Sequence, residues 1–236
     1  MRHPSREWKF ILPVIVLTIV LAGADLWYFN SQAGPAGAPA AVSAAGDCFF
    51  DPEKKPFPNH QALVTVSDPY AGTYDAPVTV IEFFDPNCPH CKNLYPTMKQ
   101  VVAQYGDRAR FVFKPIALPG WDHSVPQVLA MYAAAKEGKF MLMMEEQMER
   151  QQPRTGLSLE ELKEIAAEIG MDPEAMAEQV QRGEGREYLL SQRQMAGQIG
   201  VTGVPAVLIN GKFVDGRSRT VECLGALIEQ EAARAP

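Results

Sequence analysis

Val78-Thr79-Val80-Ile81-Glu82-Phe83-Phe84-Asp85-Pro86-Asn87-Cys88-Pro89-His90-Cys91 decides the fold. Its first seven residues are mostly β-branched or aromatic, the composition of a strand buried on both faces. Asp85-Pro86-Asn87 are turn formers. Leu94, Met98, Val101, Val102 and Tyr105 then recur at helical spacing, with Pro96 expected to kink the helix. Cys88 is thereby placed at a helix N-terminus, where unpaired backbone N–H groups and the helix dipole favour a thiolate. A lowered pKa makes it the attacking or attacked sulfur. Cys91, one turn on, shares its face and can close a small disulfide ring with it, and His90 adds a donor beside the sulfur. Structural zinc needs two further ligands, whereas Cys48 and Cys223 are isolated. Covalent haem attachment wants His after the second Cys, where Lys92 stands. Neither a metal nor an organic cofactor is expected.

Outward from this centre, Ala62 to Val66 reads as a short strand and Arg110 to Ile116 as a second buried one. From about 122 to 200 the pattern is helical. Ser158-Leu159-Glu160-Glu161 is a capping box, and Asp172-Pro173 places a cap residue before a first-turn Pro. Gly170 and Gly183 suit helix ends. Strands return at Pro205 to Asn210 and Lys212 to Val214, joined by an Asn210-Gly211 turn. Thr220 caps a last helix with Val221, Leu224, Leu227 and Ile228 on one face. Met141, Met143, Met144 and Met148 fit a helix core better than an adaptable binding surface. Glu145 to Arg154 reads as a solvated helix face running into a loop, and His60 and His123 as ordinary loop residues. Glu82 and Lys114 are the anomalies, because ionisable groups inside buried strands are expensive unless paired.

The chain has 236 residues, with 22 Lys+Arg against 28 Asp+Glu and a formal net charge of −6. That acidic balance argues against nucleic acid as a partner. Residues 1–24 run the other way, at +2. A basic start followed by an apolar run reads as an export signal within residues 1–30. Trp8 to Phe29 would span about 33 Å as a helix, enough for an uncleaved membrane anchor. Ala22-Gly23-Ala24 equally suits signal cleavage. Either way the rest is exported. Residues 31–47, rich in Ala, Gly, Pro and Ser, read as a flexible linker, and one folded domain is expected over 48–236. Cys48 and Cys223 are an even pair in an exported chain, which favours a structural disulfide over two free thiols.

The strand Val80 to Phe84, Cys88-Pro89-His90-Cys91 and Gly203-Val204-Pro205-Ala206 together resemble the DsbA family of exported thiol–disulfide oxidoreductases, over roughly residues 60–233. The resemblance implies an α/β, thioredoxin-like fold with an α-helical domain inserted between the third strand and the cis-Pro strand. It further implies a cis Val204–Pro205 bond facing the redox pair, with both residues offering backbone groups to substrate. Glu82 and Lys114 would lie under the disulfide and help move protons. Substrates would be reduced exported polypeptides on the periplasmic side of a bacterial inner membrane, and a membrane-embedded, quinone-linked partner would reoxidise the pair. Asp85-Pro86-Asn87 and Lys92 are closer to isomerases or reductases of the same family. Val204 and the Pro89-His90 dipeptide are oxidase-like. A dithiol oxidase is therefore expected, with an isomerase or reductase as the alternative in class. Outside that class stands a metal-binding module in which the two thiolates and His90 hold copper or zinc.

Overall fold

The computed structural model describes residues 48–234. The expected membrane segment at 8–29 and the linker at 31–47 lie outside those residues. Among the described residues no helix is long and apolar enough to cross a membrane.

The elements follow in the order β1 (Tyr70–Gly72), β2 (Val78–Phe84), α1 (Pro89–Tyr105), β3 (Ala109–Pro115), α2 (Val125–Lys136), α3 (Phe140–Glu149), α4 (Leu159–Glu168), α5 (Pro173–Arg182), α6 (Arg186–Gln198), β4 (Ala206–Ile209), β5 (Lys212–Phe213) and α7 (Val221–Ala232). The strands form one sheet in the order β1-β3-β2-β4-β5. β2 and β3 pair in parallel through the α1 crossover, and every other pairing is antiparallel. This is an α/β thioredoxin fold with five helices inserted between β3 and β4.

Local chemistry sets the element ends. Ser158 and Glu161 form the reciprocal capping box at α4, and the Asp172 carboxylate accepts from the Glu174 and Ala175 N–H groups at α5. Asn210 and Gly211, both at positive φ, make the tight turn between β4 and β5. α1 runs through Pro96 as one element, so the Lys92 carbonyl there lacks its usual donor. Met143, Met144 and Met148 are buried in the core.

One strand expectation fails. Residues 60–63 form a 3₁₀ turn, and only Leu63 of the stretch 62–66 is buried, while Val66 is 96% exposed. The Asp68 carboxylate accepts from the Thr65 N–H and closes a turn ahead of Pro69, so the first strand begins at Tyr70 instead.

The two faces of the sheet are covered differently. Val78, Val80, Phe84, Phe111, Phe113, Val207 and Ile209 point into a core shared with α1, α7 and the inserted helices. Ile81, Phe83, Val112, Leu208 and Phe213 point the other way, onto Leu63 and α6. Because side chains alternate along a strand, Glu82 shares the α1 face and Lys114 the α6 face. Gly225 lets α7 approach α1, since a Cβ there would sit 2.2 Å from the Tyr105 hydroxyl. A disulfide joins Cys48 to Cys223 in the first turn of α7, across 175 residues of sequence.

Candidate active site

Cys88 ends the turn after β2 and caps α1 with an extended backbone, φ −73° and ψ 118°, with Pro89 at the first helical position. Its N–H donates to the Asp85 carbonyl at 3.0 Å, and its own carbonyl accepts the first helical bond from Lys92 at 3.1 Å. Cys88 and Cys91 are both free thiols and both buried. Pro89 and His90 beside them are exposed.

The two sulfurs are electrostatically unlike. Cys88 is lowered from 9.0 to about 6. The largest cause is a hydrogen bond from the Cys91 thiol; backbone N–H groups of Cys91 and His90 and the His90 imidazole add to it, outweighing burial. Cys91 is pushed far up, by burial first and then by the Cys88 and Glu82 charges. One sulfur is thus poised as a thiolate at neutral pH while the other keeps its proton.

The Val204–Pro205 peptide bond is cis, and the Val204 carbonyl lies 3.5 Å from Cys88 Sγ, where it accepts from the protonated thiol. Arg219 holds this loop from behind, its guanidinium donating to the Pro205 carbonyl at 2.6 Å. A groove of about 440 Å³ opens here, lined by His90, Asn93, Leu94, Thr97, Val204, Pro205, Gly216 and Arg219.

Glu82 lies on the α1 face of β2, 5% exposed. Burial raises its carboxyl to about 8, against a smaller lowering by Arg219. Glu82 thus stays mostly protonated near neutral pH, and when ionised its charge raises Cys91 further.

Lys114 corrects the sequence reading. It points to the α6 face, away from the cysteines, and is fully buried. Its ammonium donates to Asp68 at 2.6 Å and to Gln192 at 3.0 Å. Burial lowers its pKa despite the Asp68 charge. The expensive lysine is paired within the back core, so it does not act beneath the Cys88–Cys91 pair.

Sequence reasoning missed a buried polar seam between the active-site turn and the inserted helices. The Asp85 carboxylate accepts from the Asn87 N–H, the Ser124 hydroxyl and the Leu118 N–H. The Asn87 amide donates to Ser124 and to Gln127, at 3.1 and 2.6 Å. Gln127 pairs with Gln147, and Gln151 reaches back to the Pro86 and Cys88 carbonyls. Gly156, at φ +69°, must be glycine, because a Cβ would stand 2.7 Å from the His123 carbonyl and 2.9 Å from Gln127 Oε1. Asp85 and Asn87 stand in the quoted stretch but looked like mere turn formers. Gln127, Gln151 and Arg219 carry no local motif.

Cys88 and Cys91 are the ligands a soft metal would use. Among the described residues no group of three or more His, Cys, Asp or Glu side chains converges as a metal site would require.

A family model described as thioredoxin matches residues 64–230. The thiol:disulfide interchange protein DsbA of Azotobacter vinelandii is 23% identical over 224 residues, 92% of this chain and 97% of that protein. The Na(+)/H(+) antiporter NhaA 3 of Salinispora tropica is 28% identical over 170 residues, 71% of this chain but 25% of that protein, so the chain spans a quarter of that relative's length. The crystal structure of oxidised BdbD from Bacillus subtilis superposes with a TM-score of 0.64 at 22% identity, covering 79% of this chain and 99% of that one, which shows the same fold.

Proposed function

The chain belongs to the thioredoxin family, among its DsbA-like thiol–disulfide oxidoreductases, and on that premise we propose that it oxidises the dithiols of exported polypeptides through Cys88 and Cys91. The observation that carries the reading is the asymmetry of the two sulfurs, a Cys88 thiol lowered to about 6 beside a Cys91 thiol held protonated. In the oxidised enzyme a substrate thiolate attacks Cys88 Sγ, and the Cys88–Cys91 bond breaks. Cys91 leaves with the bonding pair and takes up a proton, for which neutral Glu82 is the donor. A second substrate thiolate then attacks the substrate sulfur of the mixed disulfide. Cys88 departs as a stabilised thiolate, a good leaving group. The substrate loses two electrons and the enzyme disulfide gains them. Val204 and Pro205 present backbone groups to the extended substrate in the groove, and Pro89 and His90 shape its rim.

The setting follows from the same reading. Residues 1–30 export the chain as a cleaved signal or an anchor through 8–29, 31–47 form a tether, and 48–236 are the enzyme. Its place is the periplasmic side of a bacterial inner membrane, and a membrane-embedded, quinone-linked protein reoxidises it. A second reading, isomerase or reductase, draws support from the size of the Cys88 effect. About 6 is closer to the ~7 of thioredoxin than to the ~3.5 of DsbA.

The test is turnover with a reduced, unfolded polypeptide bearing two cysteines. The oxidised protein should yield one substrate disulfide per Cys88–Cys91 bond consumed. Cys91→Ser cannot form that bond and should yield no substrate disulfide; given the oxidised polypeptide instead, its Cys88 thiolate should attack the substrate disulfide and accumulate a mixed disulfide on Cys88. Adducts on Cys91 in a Cys88→Ser protein, with none on Cys88 in Cys91→Ser, would reverse the assignment.

A further inference from the structure

Gln151 lies two residues beyond the end of α3, in the inserted helical region, and is 8% exposed. Its Nε2 donates to the Pro86 carbonyl at 2.7 Å and to the Cys88 carbonyl at 3.0 Å. The amide orientation is fixed by these partners, because an oxygen in that place would face two carbonyls. Pro86 and Cys88 flank Asn87, so one carboxamide bridges the turn that delivers Cys88 to the head of α1. In the opposite direction the Lys92 ammonium, from the first turn of α1, donates to the Glu149 carbonyl at the end of α3, at 3.0 Å. The two segments therefore clasp each other by crossed bonds, supplying donors to the Pro86 and Glu149 carbonyls and a second donor to the Cys88 carbonyl, which already accepts from the Lys92 N–H.

We propose that Gln151 is a positioning residue for the Cys88 thiolate, holding the Pro86 and Cys88 carbonyls so that the N–H groups of His90 and Cys91 aim at Sγ. The inference rests on Cys88 being the reactive sulfur. Sγ gains those backbone donors only in the extended cap conformation that Cys88 adopts. The Cys88 carbonyl belongs to the same peptide plane as the Pro89 nitrogen, so fixing it fixes the rotation that sets the helix head relative to the sulfur. A carboxamide does this without the desolvation cost of burying a charged donor. The donor comes from the helical insertion, so the insertion tunes the chemistry of the thioredoxin-like core as well as covering it.

Gln151→Met keeps the size and removes both donors. In the full-length reduced protein, thiolate absorbance should show Cys88 titrating about one pH unit higher than wild type, with tenfold less thiolate at a given acidic pH. Gln147→Met is the control. Gln147 is fully buried in the same seam but bonds only to Gln127, so its loss should lower the melting temperature and leave the titration in place. Equal movement of the titration in both variants, or none in Gln151→Met, overturns the inference while the Cys88 reading survives. A wild-type Cys88 that titrates near 9.0 sinks that reading instead. A measurement on the unaltered protein covers the case in which Gln151→Met does not fold. The Gln151 side-chain amide signals in ¹⁵N NMR should shift with the same midpoint as Cys88. Signals that stay constant through that titration overturn the proposal.

Discussion

Replacing Glu82 with Gln should abolish a loss of stability that the wild-type protein suffers as pH rises from 4.5 to about 8. The buried carboxyl holds its proton up to about 8, whereas in the unfolded chain it ionises near 4.5. The sign follows from linkage: the folded state binds the proton more tightly, so its contribution is complete below the unfolded pKa and disappears as pH climbs through the folded one. At ~1.36 kcal/mol per pH unit, roughly 3 kcal/mol is gone by pH 7 and roughly 5 above pH 8. An amide of the same shape does not titrate in this range. The assay is urea unfolding of the oxidised protein between pH 4.5 and 8. Working with the disulfide form keeps the Cys88 and Cys91 titrations out of the curve. Wild-type stability should fall across the range relative to Glu82→Gln, which should stay nearly level. In the proposed mechanism the same carboxyl gives Cys91 its proton as the Cys88–Cys91 bond opens, so the variant should also form the Cys88 mixed disulfide with a substrate thiol about a hundredfold more slowly. Parallel pH slopes for the two proteins would refute the burial argument, and an unchanged rate of mixed-disulfide formation would refute the proton role.

Lys114→Met should destabilise the protein by about 3–5 kcal/mol, because Asp68 is left charged and buried without its partner. Adding Asp68→Leu should recover most of that loss, and neither change should move the Cys88 titration; a shifted titration would return Lys114 to the redox site. Removing Cys48 and Cys223 together opens a loop of 175 residues. Loop-closure entropy puts its contribution at roughly 5 kcal/mol, with about 2–4 the usual measured range. Thermal melts should therefore drop by many degrees while the redox potential holds; an unchanged melting temperature would contradict the assignment.

The active-site strand, its turn and the cysteines at a helix head could be read from the sequence because each depends on near neighbours. So could the capping box at Ser158, the Asp172 cap and the Asn210-Gly211 turn. β1 could not, since three half-exposed residues are too short to show alternation and are strands only through their register with β3. The apolar residues of 62–66 imitated a strand that Asp68 and Pro69 cut off. Lys114 stands out as anomalous in the sequence, yet the family resemblance puts it under the cysteines while the structure buries it with Asp68 and Gln192. Alternation places it opposite Phe113, yet which face carries α1 is decided by the sheet's packing. Gln151 was the least legible residue. It lies 63 positions from Cys88 in a charged stretch, and only the folding of the inserted helices back onto the turn brings it there.

The most direct test is the reduction potential of the Cys88–Cys91 couple, measured at pH 7 in glutathione buffers by mass spectrometry of alkylated thiols. Lowering Cys88 from 9.0 to about 6 stabilises the reduced protein at that pH by about 1.4 kcal/mol, or ~30 mV in the oxidising direction. For a dithiol oxidase the expected value lies above about −200 mV, towards the ~−120 mV of DsbA. A value near the ~−270 mV of thioredoxin would contradict the oxidase reading and assign this couple to reduction or isomerisation.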